Sequence, residues 1–213
     1  MITVTMAAVD WLMSLEPHWY STIFGIYVFA GGGLAFVASL ILISLVLRRS
    51  GALADSIRLD HYHDLGRWLF VLAVFWAYIA FSQYLLIWYA NLPEETVWFR
   101  HRLEGNWAWL SAALLVGNFI LPFLLLIARA AKRRLGLLAS VALLLLGMHY
   151  VDLHWVVMPT VDRHGFHLHW LDLAAMTGVG AAYALAFWNL LRRHCLIPVG
   201  DLRLNRALNH QTE

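Results

Sequence analysis

The sequence predicts an all-α integral membrane protein with about five transmembrane helices and no soluble domain, and three observations carry that expectation. The chain has 213 residues, 62% of them hydrophobic and only 13% charged, with a mean hydropathy of +0.67. A soluble domain has about 45–50% apolar and about 25% charged residues. Five stretches are long enough, at about 18 or more mostly apolar residues, to cross a bilayer, and no run of alternating polarity suggests a barrel. Eleven Trp, eleven Phe and eight Tyr supply rings of the kind that gather where hydrocarbon meets headgroup.

The elements follow in chain order. Met1–Leu15 is apolar, too short to span, and lacks the basic start of a signal peptide. It reads as the outer end of a helix, or as a helix lying in the interface, and with the segment after it forms a head over residues 1–19. Tyr20–Leu47, Trp68–Ala90 and Asn106–Ala128 contain no Asp, Glu, Lys or Arg, while Leu135–Met158 and Trp170–Leu191 contain one carboxylate each, Asp152 and Asp172. These five spans make a transmembrane domain over residues 20–191, and 192–213 is a tail. Gly31–Gly32–Gly33, inside the first span, permits a kink or a close helix approach. Pro122 is tolerated inside the third.

Basic residues set the orientation, because Lys and Arg are retained on the cytoplasmic side. Segments 48–67, 129–134 and 192–213 hold four each; the head holds none, 91–105 holds Arg100 and Arg102, and 159–169 holds Arg163. The alternation suits five helices with the head outside and the tail inside. The net charge of +2 is too balanced for a nucleic-acid partner. Cys195, the sole cysteine, excludes an internal disulfide, an iron–sulfur cluster held by this chain alone and a Cys-rich zinc site.

The outer face is chemically the richer one. Glu16 and His18 stand among aromatic rings in SLEPHWY at the mouth of the first span, and loop 91–105 packs Glu94, Glu95, Arg100, His101, Arg102 and Glu104 together. An aromatic belt with surface ion pairs explains both; a docking surface or proton exit is the functional alternative. Inside the membrane the fourth span carries the strongest signal. His149, Tyr150, Asp152 and His154 lie in GMHYVDLHW, where an ionisable group is costly without a partner or a cavity. His149 and Asp152 share a helix face at i, i+3 and can exchange a proton directly or through one water. At about 1.5 Å per residue they sit about 4 Å and about 8 Å outward of the span's midpoint, a depth suited to a proton relay or a quinone headgroup. The same residues would serve as helix glue. Gln83 and Tyr84 of the second span and Asn118 of the third are the expected partners.

A bis-His haem needs two imidazoles facing each other from neighbouring helices. His149 and His154 are the histidines within spans and share one helix, so no haem is expected. His164, His167 and His169 carry too little geometry to argue for a metal.

Long stretches resemble a known family. YHDLGRWLFVLAVFWAYIAFSQYLLIWYANLPEETVWFRHR (Tyr62–Arg102), DWLMSLEPHWYSTIFG (Asp10–Gly25) and PVGDLRL (Pro198–Leu204) resemble the F membrane subunit of alternative complex III, a bacterial quinol:electron-acceptor oxidoreductase whose F subunit is similar to the polysulfide-reductase-type membrane subunit. The resemblance implies an all-helical subunit with two four-helix bundles and without haem or iron–sulfur ligands of its own, with haem c and iron–sulfur clusters in partner subunits. It implies quinone or quinol as the lipid-soluble reactant. The implied partners are the polysulfide-reductase-type membrane subunit, an iron–sulfur subunit, c-type cytochrome subunits, a terminal oxidase and lipid. The family's SLEPHW matches Ser14–Trp19, YHDLG matches Tyr62–Gly66, SQY matches Ser82–Tyr84 and PEE matches Pro93–Glu95. Members are about twice as long, so this chain is expected to correspond to their carboxy-terminal half.

Two functions follow. In one the chain supports quinol-linked electron transfer and proton translocation in the bacterial inner membrane, with His149, Asp152, Tyr84, Gln83, Glu16 and His18 as proton-relay candidates and no catalytic centre of its own. In the other it is a scaffold subunit with neither proton path nor quinone site.

Overall fold

The computed structural model describes residues 1–53, 56–162, 169–197, 200–202, 204 and 208. Arg163, His164, His167, Arg203, Arg206 and part of the 198–204 motif lie outside the described residues. Within them the chain is helical, with no strand, and has five helices long and apolar enough to cross a membrane. It is a multi-pass membrane protein by length and composition.

The first helix, α1 (Ile2–Trp11), is followed by a 3-10 turn at Met13–Leu15. It is not an isolated interfacial helix. It packs on the start of α2 (Phe24–Arg49), burying Ala8, and a Cβ on Gly25 would meet Thr5 Cγ2 at 2.5 Å. The first span therefore begins at Phe24 rather than Tyr20, with Tyr20–Ile23 turning the chain.

The next helix, α3 (Leu59–Ala90), starts well before Trp68. Charges end an apolar run without ending a helix. Tyr62, His63, Gly66 and Leu69 are buried at helical spacing, so the stripe simply continues past the apolar stretch. Two further histidines, His61 and His63, thereby join a spanning helix, correcting the expectation that only His149 and His154 do so.

Residues 91–105, expected as a loop, are mostly α4 (Pro93–Leu103). Pro93 stands in its first turn with Glu94 and Glu95, and Arg100, His101 and Arg102 close its last turn. This arrangement suits the fixed φ of proline and complements the helix dipole. Gly105, at φ 59, then reverses the chain into α5 (Asn106–Leu126). Midway, α5 widens into a π segment at Leu115–Ile120. Pro122 has no N–H for the carbonyl of Asn118 and its ring crowds that carbonyl, and a widened turn relieves both effects.

A short α6 (Arg129–Lys132) leads to α7 (Leu135–Val157), and α8 (Trp170–Arg193) follows. Helices α2, α3, α5 and α7 form the bundle, with α2 contacting both α3 and α7 extensively. By contrast α8 buries none of its residues.

The bundle's interior divides by chemistry. At one end lie Trp19, Phe24, Tyr27, Trp76, Trp98, Trp107 and Trp155, with Ile79 and Leu114 among them. At the other lie Leu34, Ile41, Leu69, Leu126, Leu138, Val141 and Leu145, with Tyr62 there the sole fully buried aromatic ring among the described residues and Phe70 packed at the edge. The first is here the aromatic end and the second the basic end, where segments 48–67 and 129–134 attach. Large apolar side chains such as Phe36, Tyr78, Phe81, Leu86 and Leu143 cover the outside, as expected where hydrocarbon surrounds the bundle.

Candidate functional site

The polar centre lies on α7 toward the aromatic end. Asp152 is 3% exposed. Its two oxygens are held from two other helices. The Tyr27 hydroxyl of α2 donates to Oδ1, and the Trp76 indole of α3 donates to Oδ2 at 3.3 Å. A carboxyl at this depth needs such partners, because unpaired polar groups in a low-dielectric interior are costly. Gln83, Tyr84 and Asn118, the expected partners, make no hydrogen bond to it; the donors are Tyr27 and Trp76.

Glycine lets α7 come this close. A Cβ on Gly31 would lie 3.1 Å from His149 Cε1 and 3.6 Å from Asp152 Oδ2, and one on Gly117 would lie 2.7 Å from Met148 Sδ. The helix is thus gripped between a glycine of α2 and a glycine of α5, the small-residue contact typical of membrane bundles. His149 and Asp152 both face Gly31, as their spacing requires, but no hydrogen bond joins them. His149 Nδ1 is buried without a partner, as is Asn118 Oδ1 in the π segment.

Beside this centre is a cavity of about 360 Å³ between α3, α4, α5 and α7. Its inner wall includes Tyr27, Trp76, Gln83, Trp98 and Trp155, all buried, and its rim includes Phe81, Leu103 and Leu115, all exposed. The mouth therefore opens on the apolar outside of the bundle. Tyr84 also lines it and makes an edge-on contact with Phe99. Gln83 is 4% exposed, and its Oε1 has no partner. A second hollow, of about 390 Å³, reaches Gln83 from the side of Ser21, Thr22 and Glu95. Asp152 lines neither hollow. It touches the first through Tyr27 and Trp76.

The cavity's outer wall is fixed by a cation that a reading of surface ion pairs does not anticipate. Arg102 is fully buried, stacked 3.7 Å over the Trp98 ring, which stacks in turn on Trp19. It donates to the carbonyls of Trp155 (3.1 Å), Val156 (2.7 Å) and Trp98 (2.9 Å), and to Glu16 at 3.0 Å. The first two carbonyls belong to the last turn of α7, where the helix itself supplies no donor. Burial lowers the guanidinium to about 10, opposed by Glu16, and leaves it charged at neutral pH. Arg100 with Glu104 does form an exposed ion pair, at 2.7 Å.

Glu16 is therefore anchored to Arg102. Glu16 and His18 both line a surface groove of about 580 Å³ with Glu94, His101, Pro159 and Thr160. No hydrogen bond connects either to Asp152. The six predicted relay residues thus fall into three places: His149 and Asp152 at the buried centre, Gln83 and Tyr84 in the cavity, and Glu16 and His18 at the groove. Tyr27, Trp76 and Arg102 were missed. Tyr27 is an aromatic residue in an uncharged span and carries no local signal. The spacing of Trp98 and Arg102, one helical turn apart, was the available hint for the clamp.

No family model matches the chain, and no curated protein matches it.

Proposed function

We propose that this chain is a membrane subunit of a quinol:electron-acceptor oxidoreductase of the alternative complex III type, supporting quinol oxidation and proton translocation. It would work in a bacterial cytoplasmic membrane with its amino-terminus on the periplasmic side. Electron carriers would reside in iron–sulfur and c-type cytochrome partners beside a polysulfide-reductase-type membrane subunit. One observation carries the reading: an aromatic cavity, open to the hydrocarbon side, ends on two residues that both donate to a buried carboxyl. Flat apolar walls suit a ring drawn from the bilayer, and a few placed polar groups suffice to orient it. A buried carboxyl within one residue of that ring suits proton uptake coupled to its oxidation.

The test is Asp152→Asn in the intact complex, since Asn keeps the shape and can accept from Trp76 through its oxygen while its NH2 donates to the Tyr27 hydroxyl. Assembly is expected to be normal while quinol turnover and proton release in vesicles fall on the order of a hundredfold, the scale of a lost acid–base group. Wild-type turnover with wild-type proton release would overturn the reading. A scaffold role draws support from the full pairing of Asp152 and the Arg102 clamp, and it expects the reverse order: Asp152→Asn silent, Asp152→Leu unable to assemble.

A further inference from the structure

A ligand in the cavity cannot touch Asp152, because Tyr27 and Trp76 stand between them. The two intervening groups differ chemically. An indole N–H donates and has no lone pair with which to accept, so it can fix a carboxylate but cannot pass a proton. A phenol hydroxyl donates and accepts at one oxygen. We propose that Tyr27 is the relay by which a hydroxyl-bearing ring bound in the cavity, a quinol on the reading above, delivers a proton to Asp152, with Trp76 holding the carboxylate in place.

The step is an acid–base exchange. The ligand O–H proton passes to the Tyr27 oxygen as the Tyr27 proton passes to Asp152 Oδ1. The ligand becomes the mono-anion, Asp152 the neutral acid, and Tyr27 is unchanged. No electron moves in this step. Electrons leave the ring afterwards for a haem or iron–sulfur acceptor in a partner subunit. One further feature supports Tyr27 in this role. The Gln83 amide, with Oε1 unpartnered and nine-tenths buried on the same wall, is placed to hold a ring oxygen by a second contact.

The inference rests on the quinol reading, so the experiment separates their failures. In the intact complex, quinol is added without the electron acceptor and Asp152 protonation is followed by infrared difference spectroscopy, the carboxylic-acid band being assigned by its loss in Asp152→Asn. Wild type and Trp76→Phe are expected to show the band, whereas Tyr27→Phe, compared at saturating quinol, shows the band at least about a hundredfold more slowly. An equally fast band in Tyr27→Phe overturns the relay alone, and no band in wild type overturns both relay and quinol reading. Should Tyr27→Phe not assemble, a fluorinated tyrosine at position 27 replaces it. That side chain keeps the shape and acidifies the phenol, so an unchanged rate overturns the relay.

Discussion

Each end of the bundle buries a cation against the last carbonyls of a helix, and the two cations are treated very differently. At the aromatic end Arg102 reaches three carbonyls and the Glu16 carboxylate, lies on a Trp ring at 3.7 Å and is wholly buried. At the basic end Lys132 makes one long contact, Nζ to the Ile127 carbonyl at 3.5 Å, with its ammonium 5.3 Å from the centre of the Phe70 ring. Both complement a helix C-terminus. Only the planar guanidinium, with five fixed donors, can satisfy several acceptors at once and stack while doing so. The difference locates rigidity: the end that holds the cavity and Asp152 is clamped, and the aliphatic end is closed by packing.

The largest expected effect is therefore at Arg102. Arg102→Leu leaves the Trp155 and Val156 carbonyls and the Glu16 carboxylate without this donor, and removing one partner of a buried pair costs about 3–5 kcal/mol. Because Trp98 and Trp155 line the cavity as well as contacting Arg102, lost stability should come with a disrupted cavity and, on the proposed reading, lost quinol binding. Lys132→Leu should cost far less. Equal midpoints for the two variants on thermal unfolding in detergent would break the comparison. Arg102→Lys should recover little, since a point charge cannot span the four acceptors.

A smaller effect sharpens the role of the carboxylate. Glu16→Gln retains an acceptor for Arg102 but removes the countercharge, and is expected to cost about 1.5–2 kcal/mol, the low end of the range for hydrogen bonds to charged groups. Asp60 with Arg133, an exposed pair at 2.7 Å at the basic end, should cost well under 1 kcal/mol when Asp60→Asn removes its charge. A loss at Asp60 matching that at Glu16 would show that the pairing at the aromatic end has no special weight.

The same contrast explains what could be read from the sequence. The spans at 24–49, 106–126, 135–157 and 170–193 were legible within a few residues, because membrane spanning is a one-dimensional property of apolar length. The polar stretch at His149 and Asp152 was legible because a carboxylate stands out in a hydrocarbon run. Its true partners were not. Tyr27 is 125 positions from Asp152 and Trp76 is 76 positions from it, and a contact between helices leaves no periodic mark in either. Gln83 was singled out as a polar residue within its span; it lines the cavity rather than pairing with Asp152. Arg102 reads as a surface residue because basic side chains near span ends ordinarily reach water; its burial depends on α4 folding back over the end of α7. The early start of α3 was hidden for the opposite reason: charged residues at 58–67 lowered the hydropathy without stopping the helix.

The smallest effect concerns alkaline pH at the basic end. Burial lowers the Lys132 ammonium from its ordinary value of 10.5, and Arg67 adds repulsion in the same direction. With the folded value below the unfolded one, the unfolded chain binds more protons throughout the interval between them. Stability attributable to this group therefore rises as pH climbs through that interval and is complete above 10.5. Other groups titrate in the same range, so the informative quantity is the difference between wild type and Lys132→Met. That difference should shift in favour of wild type as pH rises through the interval, and remain flat near neutrality. A difference that moved the other way would mean that Lys132 is stabilised as a cation by partners, against the single long carbonyl contact it makes.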